Sequence, residues 1–174
     1  MSVSLPLSPQ SVIAVVGTGA MGAGIAQVAA AAGHPVKLLD NRPGAATKAV
    51  EGIQAQFAKL ADKGRMSADA AQAASARLIA VEQPAELADA ALVVEAIVEN
   101  LQAKQTLYKD LEAIVGADCL FGTNTSSISV TAIGAALQHP ERLAGLHFFN
   151  PAPLMALVEI VSGLATDKAV ADTL

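Results

Sequence analysis

Tryptophan is absent from this 174-residue chain, and aromatic residues make up only 3% of it. Ala, Val, Leu and Ile must therefore fill the core, as a parallel α/β sheet buried on both faces favours. Cysteine is nearly absent as well. Cys119 stands alone, so no intrachain disulfide can staple the fold. It falls in a predicted strand beside Leu120 and Phe121 and reads as a buried, inert thiol rather than a nucleophile. Charge is scarce at 16%, and 11 Lys and Arg against 16 Asp and Glu leave a net of −5. That sign argues against nucleic acid as a main partner, so a phosphate-bearing ligand must be held by local donors. No uninterrupted strongly apolar run approaches the ~18 residues of a membrane span. The start, Met1 to Gln10, has Ser and Pro but no Lys or Arg, unlike a signal or transit peptide. Residues 1–10 are expected to be a disordered tail and the protein to be soluble, in a reducing cytoplasm. No Cys/His or H-E-x-x-H cluster points to a metal, and no G-x-S-x-G elbow points to a hydrolase.

What is present alternates. The β-branched run Ser11–Val16 reads as a buried first strand. A helix of small residues follows from Ala20 to Ala32, ended by Gly33. Val36–Asp40 is a second strand. The spacing of Ala46, Val50, Ile53, Phe57 and Leu60 predicts a long amphipathic helix over 43–63. Ser67 caps another to Ala76. This pair, 43–76, interrupts the βαβ rhythm as a helical arm. Further strands are expected at 78–81, 91–95, 120–123, 143–149 and 157–161. Helices are expected over 100–115 and 129–137, with a turn at 84–88. Thr166 is expected to cap a last helix that runs to the final residue. The pattern predicts a doubly wound, mostly parallel, Rossmann-type sheet spanning 11–166. Residues 167–174 would then begin a truncated connection to a C-terminal domain absent from this chain.

Gly17-Thr18-Gly19-Ala20-Met21-Gly22 lies between the first strand and the first helix. Gly17 permits the tight turn, Gly19 lets backbone amides approach a pyrophosphate, and Gly22 lets helix and strand pack closely. The helix N-terminus then faces the phosphates. Asp40 follows 18 residues after Gly22 at the tip of the next strand, placed to accept from ribose hydroxyls. This context points to a dinucleotide, NAD rather than NADP. Arg42 is the counter-signal, because an Arg can hold a 2′-phosphate. Close packing without a ligand accounts for the glycines as well, and a solvated strand end accounts for Asp40.

His147 ends an apolar strand, where a doubly wound sheet opens onto its ligand crevice. Imidazole suits proton removal from an alcohol. Asn150-Pro151-Ala152-Pro153 turns the chain back to Glu159, the sole charge in the next apolar strand. A buried carboxylate needs a partner, and His147 is the obvious one. Glu159 would fix the tautomer and stabilise the imidazolium, as Asp does in a hydrolase triad. Ser126, in Asn124-Thr125-Ser126-Ser127 after a strand, either donates to the reacting oxygen or caps the following helix. His34 and His139 read as bland loop positions.

These segments, with Val93-Val94-Glu95-Ala96-Ile97-Val98-Glu99-Asn100 and His147-Phe148-Phe149-Asn150-Pro151, closely resemble the N-terminal domain of the 3-hydroxyacyl-CoA dehydrogenases. The resemblance covers nearly the whole chain from Val12 on. It implies NAD as cofactor and oxidation of a 3-hydroxyacyl-CoA to the 3-oxoacyl-CoA in fatty-acid or aromatic-acid catabolism. It implies His147 as general base, Glu159 as its partner, and Ser126 and Asn150 at substrate and nicotinamide. Glu99 and Lys104 match nicotinamide-side contacts, and Lys63 matches a coenzyme A contact; an ordinary solvated lysine is the other reading of Lys63 and Lys104. The family also implies a helical C-terminal domain and, through it, a homodimer. Similarity in the arm and second strand points to the 3-hydroxyadipyl-CoA branch. The other readings are a dehydrogenase of free β-hydroxy acids, which uses a Lys base on a later helix, and a non-catalytic NAD-binding module.

Overall fold

Parallel strands buried on both sides have no polar face to show, and the short apolar runs of this chain form just such strands. The computed structural model describes residues 7–174. It places β1 (Ile13–Val16), β2 (Val36–Leu39), β3 (Leu78–Ala80), β4 (Leu92–Glu95), β5 (Leu120–Thr123), β6 (Leu143–Phe148) and β7 (Val158–Ser162) in one sheet, ordered 3-2-1-4-5-6-7. The first six run parallel and β7 pairs antiparallel with β6. This is the doubly wound order expected, closed by an antiparallel edge strand.

Alternate residues of each strand feed different layers. Val15, Leu38, Val94 and Leu146 pack with α1 (Ala20–Ala31), α2 (Ala45–Asp62) and α3 (Ala68–Ala76). Ala14, Val16, Val93 and Phe121 pack with α4 (Leu101–Glu112) and α5 (Val130–Gly134) on the opposite face. The helical pair is less of an arm than its length suggests. Ala46, Val50, Ile53 and Phe57 of α2, with Ala71 and Ala74 of α3, are buried against the sheet. Together the two helices form the crossover from β2 to β3, and only the end around Lys63–Arg65 stands clear.

Several ends differ from expectation by a residue or more. Ser67 caps α3 and Asn100 caps α4 as their sequences suggest. The final helix α6 (Lys168–Thr173) is capped by Asp167, whose carboxylate accepts from Ala169 N–H at 2.8 Å. Thr166 is engaged elsewhere: its hydroxyl donates to the Leu143 carbonyl at 2.6 Å and accepts from Gly163 N–H. Of the expected N-terminal tail, residues 1–6 lie outside the described residues. Beyond them, Ser11 N–H closes a turn on the Ser8 carbonyl at 2.9 Å, and Leu7 packs on the core.

Arg142 is a buried cation that the sequence reading passed over. It donates to the carbonyls of Gly116, Ala117 and Cys119 and to the Glu112 carboxylate at 3.0 Å, and lies over the Phe121 ring. It thereby ties the end of α4 to the start of β6. Cys119 beside it is buried, which pushes its thiol pKa up to about 12, so it is inert. No helix among the described residues is long and apolar enough to cross a membrane.

Candidate active site

The chain leaves β1 toward β2 on one side and β4 toward β5 on the other, so a crevice opens between the carboxyl ends of β1 and β4. The Gly17–Gly22 turn forms one wall. Gly17 has φ +92°, and a Cβ there would lie 2.6 Å from the Ala96 carbonyl oxygen. A Cβ on Gly22 would lie 1.7 Å from the Gly17 oxygen, so both are required for packing. Gly19 differs: nothing lies within 4 Å of its missing Cβ. It is also the N-cap of α1 without a side-chain cap, and the first turn holds no acidic residue. Unpartnered helix N–H groups beside open space suit an anion, and the turn fits a dinucleotide pyrophosphate.

Asp40 sits where β2 ends, with its carboxylate already engaged. Oδ2 accepts from Thr18 N–H and hydroxyl, each at 2.8 Å, so Asp40 braces the glycine turn. Arg42 folds back over it, with Nε 3.0 Å from Oδ1. The Arg42 guanidinium, helped by Thr18, holds the Asp40 carboxyl far below the usual carboxylate range. Both oxygens of the Asp40 carboxylate are thus already engaged, one of them by the exposed Arg42 alone.

Deeper in the crevice is a cleft of about 330 Å³ lined by Met21, Ile97, Ser126, His147, Phe149 and Asn150, together with Glu99, Lys104 and Asn124. Of the expected site residues, Met21, Glu99, Lys104, Ser126, His147 and Asn150 meet here. Lys63 does not; it is exposed at the C-cap of α2, outside the cleft lining. His147 and Glu159 are directly paired across the β6–β7 ladder. His147 Nδ1 lies 3.0 Å from Glu159 Oε2, and the imidazole packs against the Phe149 ring at 4.7 Å. The expected burial of Glu159 is not observed. β7 is an edge strand, and the Glu159 side chain is 52% exposed against 19% for His147.

In the loop after β5, Ser129 caps α5 and Thr125 accepts from Ile128 N–H, so capping falls to these two, while Ser126 is among the residues lining the cleft. Glu99 gathers this loop, accepting from the Thr125 hydroxyl and from Ser126 N–H at 3.1 Å. Burial alone would raise the Glu99 pKa; these bonds and the Lys104 ammonium outweigh it and hold the group below its ordinary value. Lys104 is no solvated lysine: it is buried, 2.5 Å from Glu95 Oε1 and 3.4 Å from Glu99 Oε2.

Two contributors were missed. Asn124 Oδ1 accepts from Phe148 N–H at 2.8 Å, tying the β5 loop to the strand that carries His147. Glu95 is wholly buried. Its signal was present, since it is the sole charge in the apolar strand Leu92–Glu95, the same reasoning that singled out Glu159.

The profile of the 3-hydroxyacyl-CoA dehydrogenase, NAD binding domain, matches residues 12–174. The chain belongs to this family. It is 49% identical over 93% of its length to the 3-hydroxyadipyl-CoA dehydrogenase of Escherichia coli K12, of which it covers 34%. It is 39% identical over 91% of its length to a probable 3-hydroxybutyryl-CoA dehydrogenase of Bacillus subtilis, of which it covers 55%. The crystal structure of a 3-hydroxybutyryl-CoA dehydrogenase from Escherichia coli K12 superposes with a TM-score of 0.91 at 48% identity, covering 95% of this chain and 35% of that one. The chain thus spans between a third and just over half the length of these relatives.

Proposed function

We propose that this domain binds NAD across the Gly17–Gly22 turn and serves an NAD-dependent oxidation of a 3-hydroxyacyl-CoA to the 3-oxoacyl-CoA. The observation that carries the reading is His147 on the wall of the cleft beside that turn, with Glu159 3.0 Å from its Nδ1. With Nδ1 donating to Glu159, Nε2 is the unprotonated ring nitrogen and the base. NAD, when bound, supplies the hydride acceptor. Nε2 takes the proton of the 3-hydroxyl as the C3–H bond breaks, and the Glu159 carboxylate stabilises the resulting imidazolium. The Ser126 hydroxyl and Asn150 amide donate to the reacting oxygen, while Glu99 and Lys104 form the nicotinamide side. Thr18, Ala20 and Met21 complete the cofactor turn with Gly17, Gly19 and Gly22, and Asp40 selects NAD over NADP.

Lys63 is assigned to the coenzyme A portion on resemblance alone. The full-length protein is read as a cytoplasmic homodimer. The relatives are named for 3-hydroxyadipyl-CoA and 3-hydroxybutyryl-CoA, and these are the substrates to try first. The test is NADH formation by the full-length protein with each CoA ester, with free 3-hydroxybutyrate, and with NADP in place of NAD. Turnover of the esters with NAD is expected. Equal turnover of the free acid would overturn the CoA assignment, and preference for NADP would transfer the Asp40 role to Arg42.

A further inference from the structure

Behind the cleft lies a buried carboxylate, Glu95, to which the proposed reaction gives no part. Glu95 ends β4 with a side chain at 0% exposure. Every bond it makes is to a donor: Ile97 N–H at 2.8 Å and Lys104 Nζ at 2.5 Å on Oε1, and the Thr123 hydroxyl at 2.7 Å on Oε2. Three donors and no acceptor mark an ionised carboxylate. Lys104, at 1% exposure, reaches onward to Glu99, whose carboxylate is the end open to the cleft. Two carboxylates and one ammonium leave a net charge of −1 in this row. A buried ion pair is often no more stabilising than well-packed apolar residues of the same volume. Packing alone therefore gives no reason for Glu95 and Lys104 at this place.

We propose that Glu95 is a positioning residue which, by pairing with Lys104, leaves the Glu99 charge uncancelled at the cleft and tilts the site toward the oxidised nicotinamide. The inference rests on the reading that a dinucleotide occupies this crevice. The oxidised ring carries a positive charge that the reduced ring lacks, so a fixed charge nearby acts on the difference between them. Without Glu95, the Lys104 ammonium would neutralise Glu99 and the tilt would disappear. Glu95 acts entirely through Lys104 and touches neither cofactor nor substrate.

The test is the dissociation constant of NAD+ and of NADH for the full-length protein and three variants. E95Q and E99Q both bring the row to zero charge. The double variant E95Q/K104M returns it to −1. The ratio Kd(NADH)/Kd(NAD+) is expected to fall about three- to tenfold in E95Q and E99Q, the scale of one charge acting across a partly solvated crevice. It should recover in the double variant. A merely structural Glu95 would weaken both cofactors alike and leave the ratio at the parent value in E95Q, which would overturn the proposal. E95Q takes from the buried ammonium its nearer carboxylate, leaving only Glu99 at 3.4 Å, and can fail to fold. The remaining variants then decide: a parent-like ratio in E95Q/K104M with a lowered one in E99Q supports the proposal, and any other pair of ratios refutes it. Failure of the parent to bind either dinucleotide would instead overturn the cofactor reading, and this inference with it.

Discussion

Glu159→Gln keeps the shape of the side chain opposite His147 and removes its charge. At 3.0 Å, a carboxylate and an imidazolium attract by about 1.4 kcal/mol at a dielectric of ~80 and by about 5.5 kcal/mol at ~20. The charge–charge attraction arises only when His147 has taken the substrate proton, so the loss falls on kcat rather than on substrate binding. Those energies correspond to about tenfold and about 10⁴-fold. Exposure chooses between them. With Glu159 52% exposed and His147 19% exposed, water reaches the pair, and about ten- to a hundredfold is expected. A loss near 10⁴ would mean that further polypeptide covers β7 and excludes water from the pair. The assay measures kcat and Tm of the full-length parent, Glu159→Gln and His147→Ala, the last expected to lose most of its kcat while keeping NAD affinity. If Glu159→Gln lowers Tm but leaves kcat within about twofold, Glu159 is a packing residue and the argument fails.

The two kinds of glycine in the turn separate cleanly. Gly22→Ala puts a Cβ 1.7 Å from a backbone oxygen and should lower Tm by more than about 10 °C or prevent folding. Gly19→Ala meets nothing within 4 Å, so it should fold with an ordinary Tm yet bind NAD at least about tenfold more weakly; unaltered affinity would mean that the pyrophosphate does not pass there. Arg142→Met strips Glu112 and three carbonyls of their buried donor and should cost about 3 kcal/mol, read as a Tm drop of roughly 6–12 °C; a drop under about 2 °C would refute it. Asp40, Glu99 and Glu112 all have lowered pKa values in the folded state. Their contribution is therefore complete above the ordinary values of 3.8 and 4.5 and is lost as pH falls through the lower folded ones. Denaturant midpoints taken from about pH 6 to pH 3 should fall less steeply in Asp40→Asn than in the parent, and equal slopes would remove Asp40 from the account.

The strands were legible because burial on both faces forces continuous apolar runs, and the glycine turn because only glycine tolerates its close approaches. The His147–Glu159 pair was legible because a lone charge in an apolar strand demands a partner. What failed was whatever depends on neighbours brought in by the fold. Thr166 and Asp167 are both competent caps, and only the nearby Leu143 carbonyl removes Thr166 from the competition. Glu159 looks buried from its strand, yet β7 turned out to be an edge, which no local pattern reveals. Lys104 reads as a solvated helix residue until β4 brings Glu95 beneath it. Arg42 is near enough to Asp40 to have been suspected, but its clasp on both carboxylate oxygens is a matter of rotamer rather than spacing.

His147 and Glu159 face each other because they are a register pair of an antiparallel ladder, not because the segment between them has a particular shape. That segment is pinned at Ala152, which is buried against Gly24, while Leu154 to Leu157 stand in solvent. The backbone rungs hold the reacting pair at fixed separation whatever the tip of the connection contains. Residues 154–157 are thus free to lengthen, shorten or change chemistry without disturbing the acid–base couple. Whatever residues 154–157 carry, the ladder and not the connection sets the distance between the imidazole and the carboxylate.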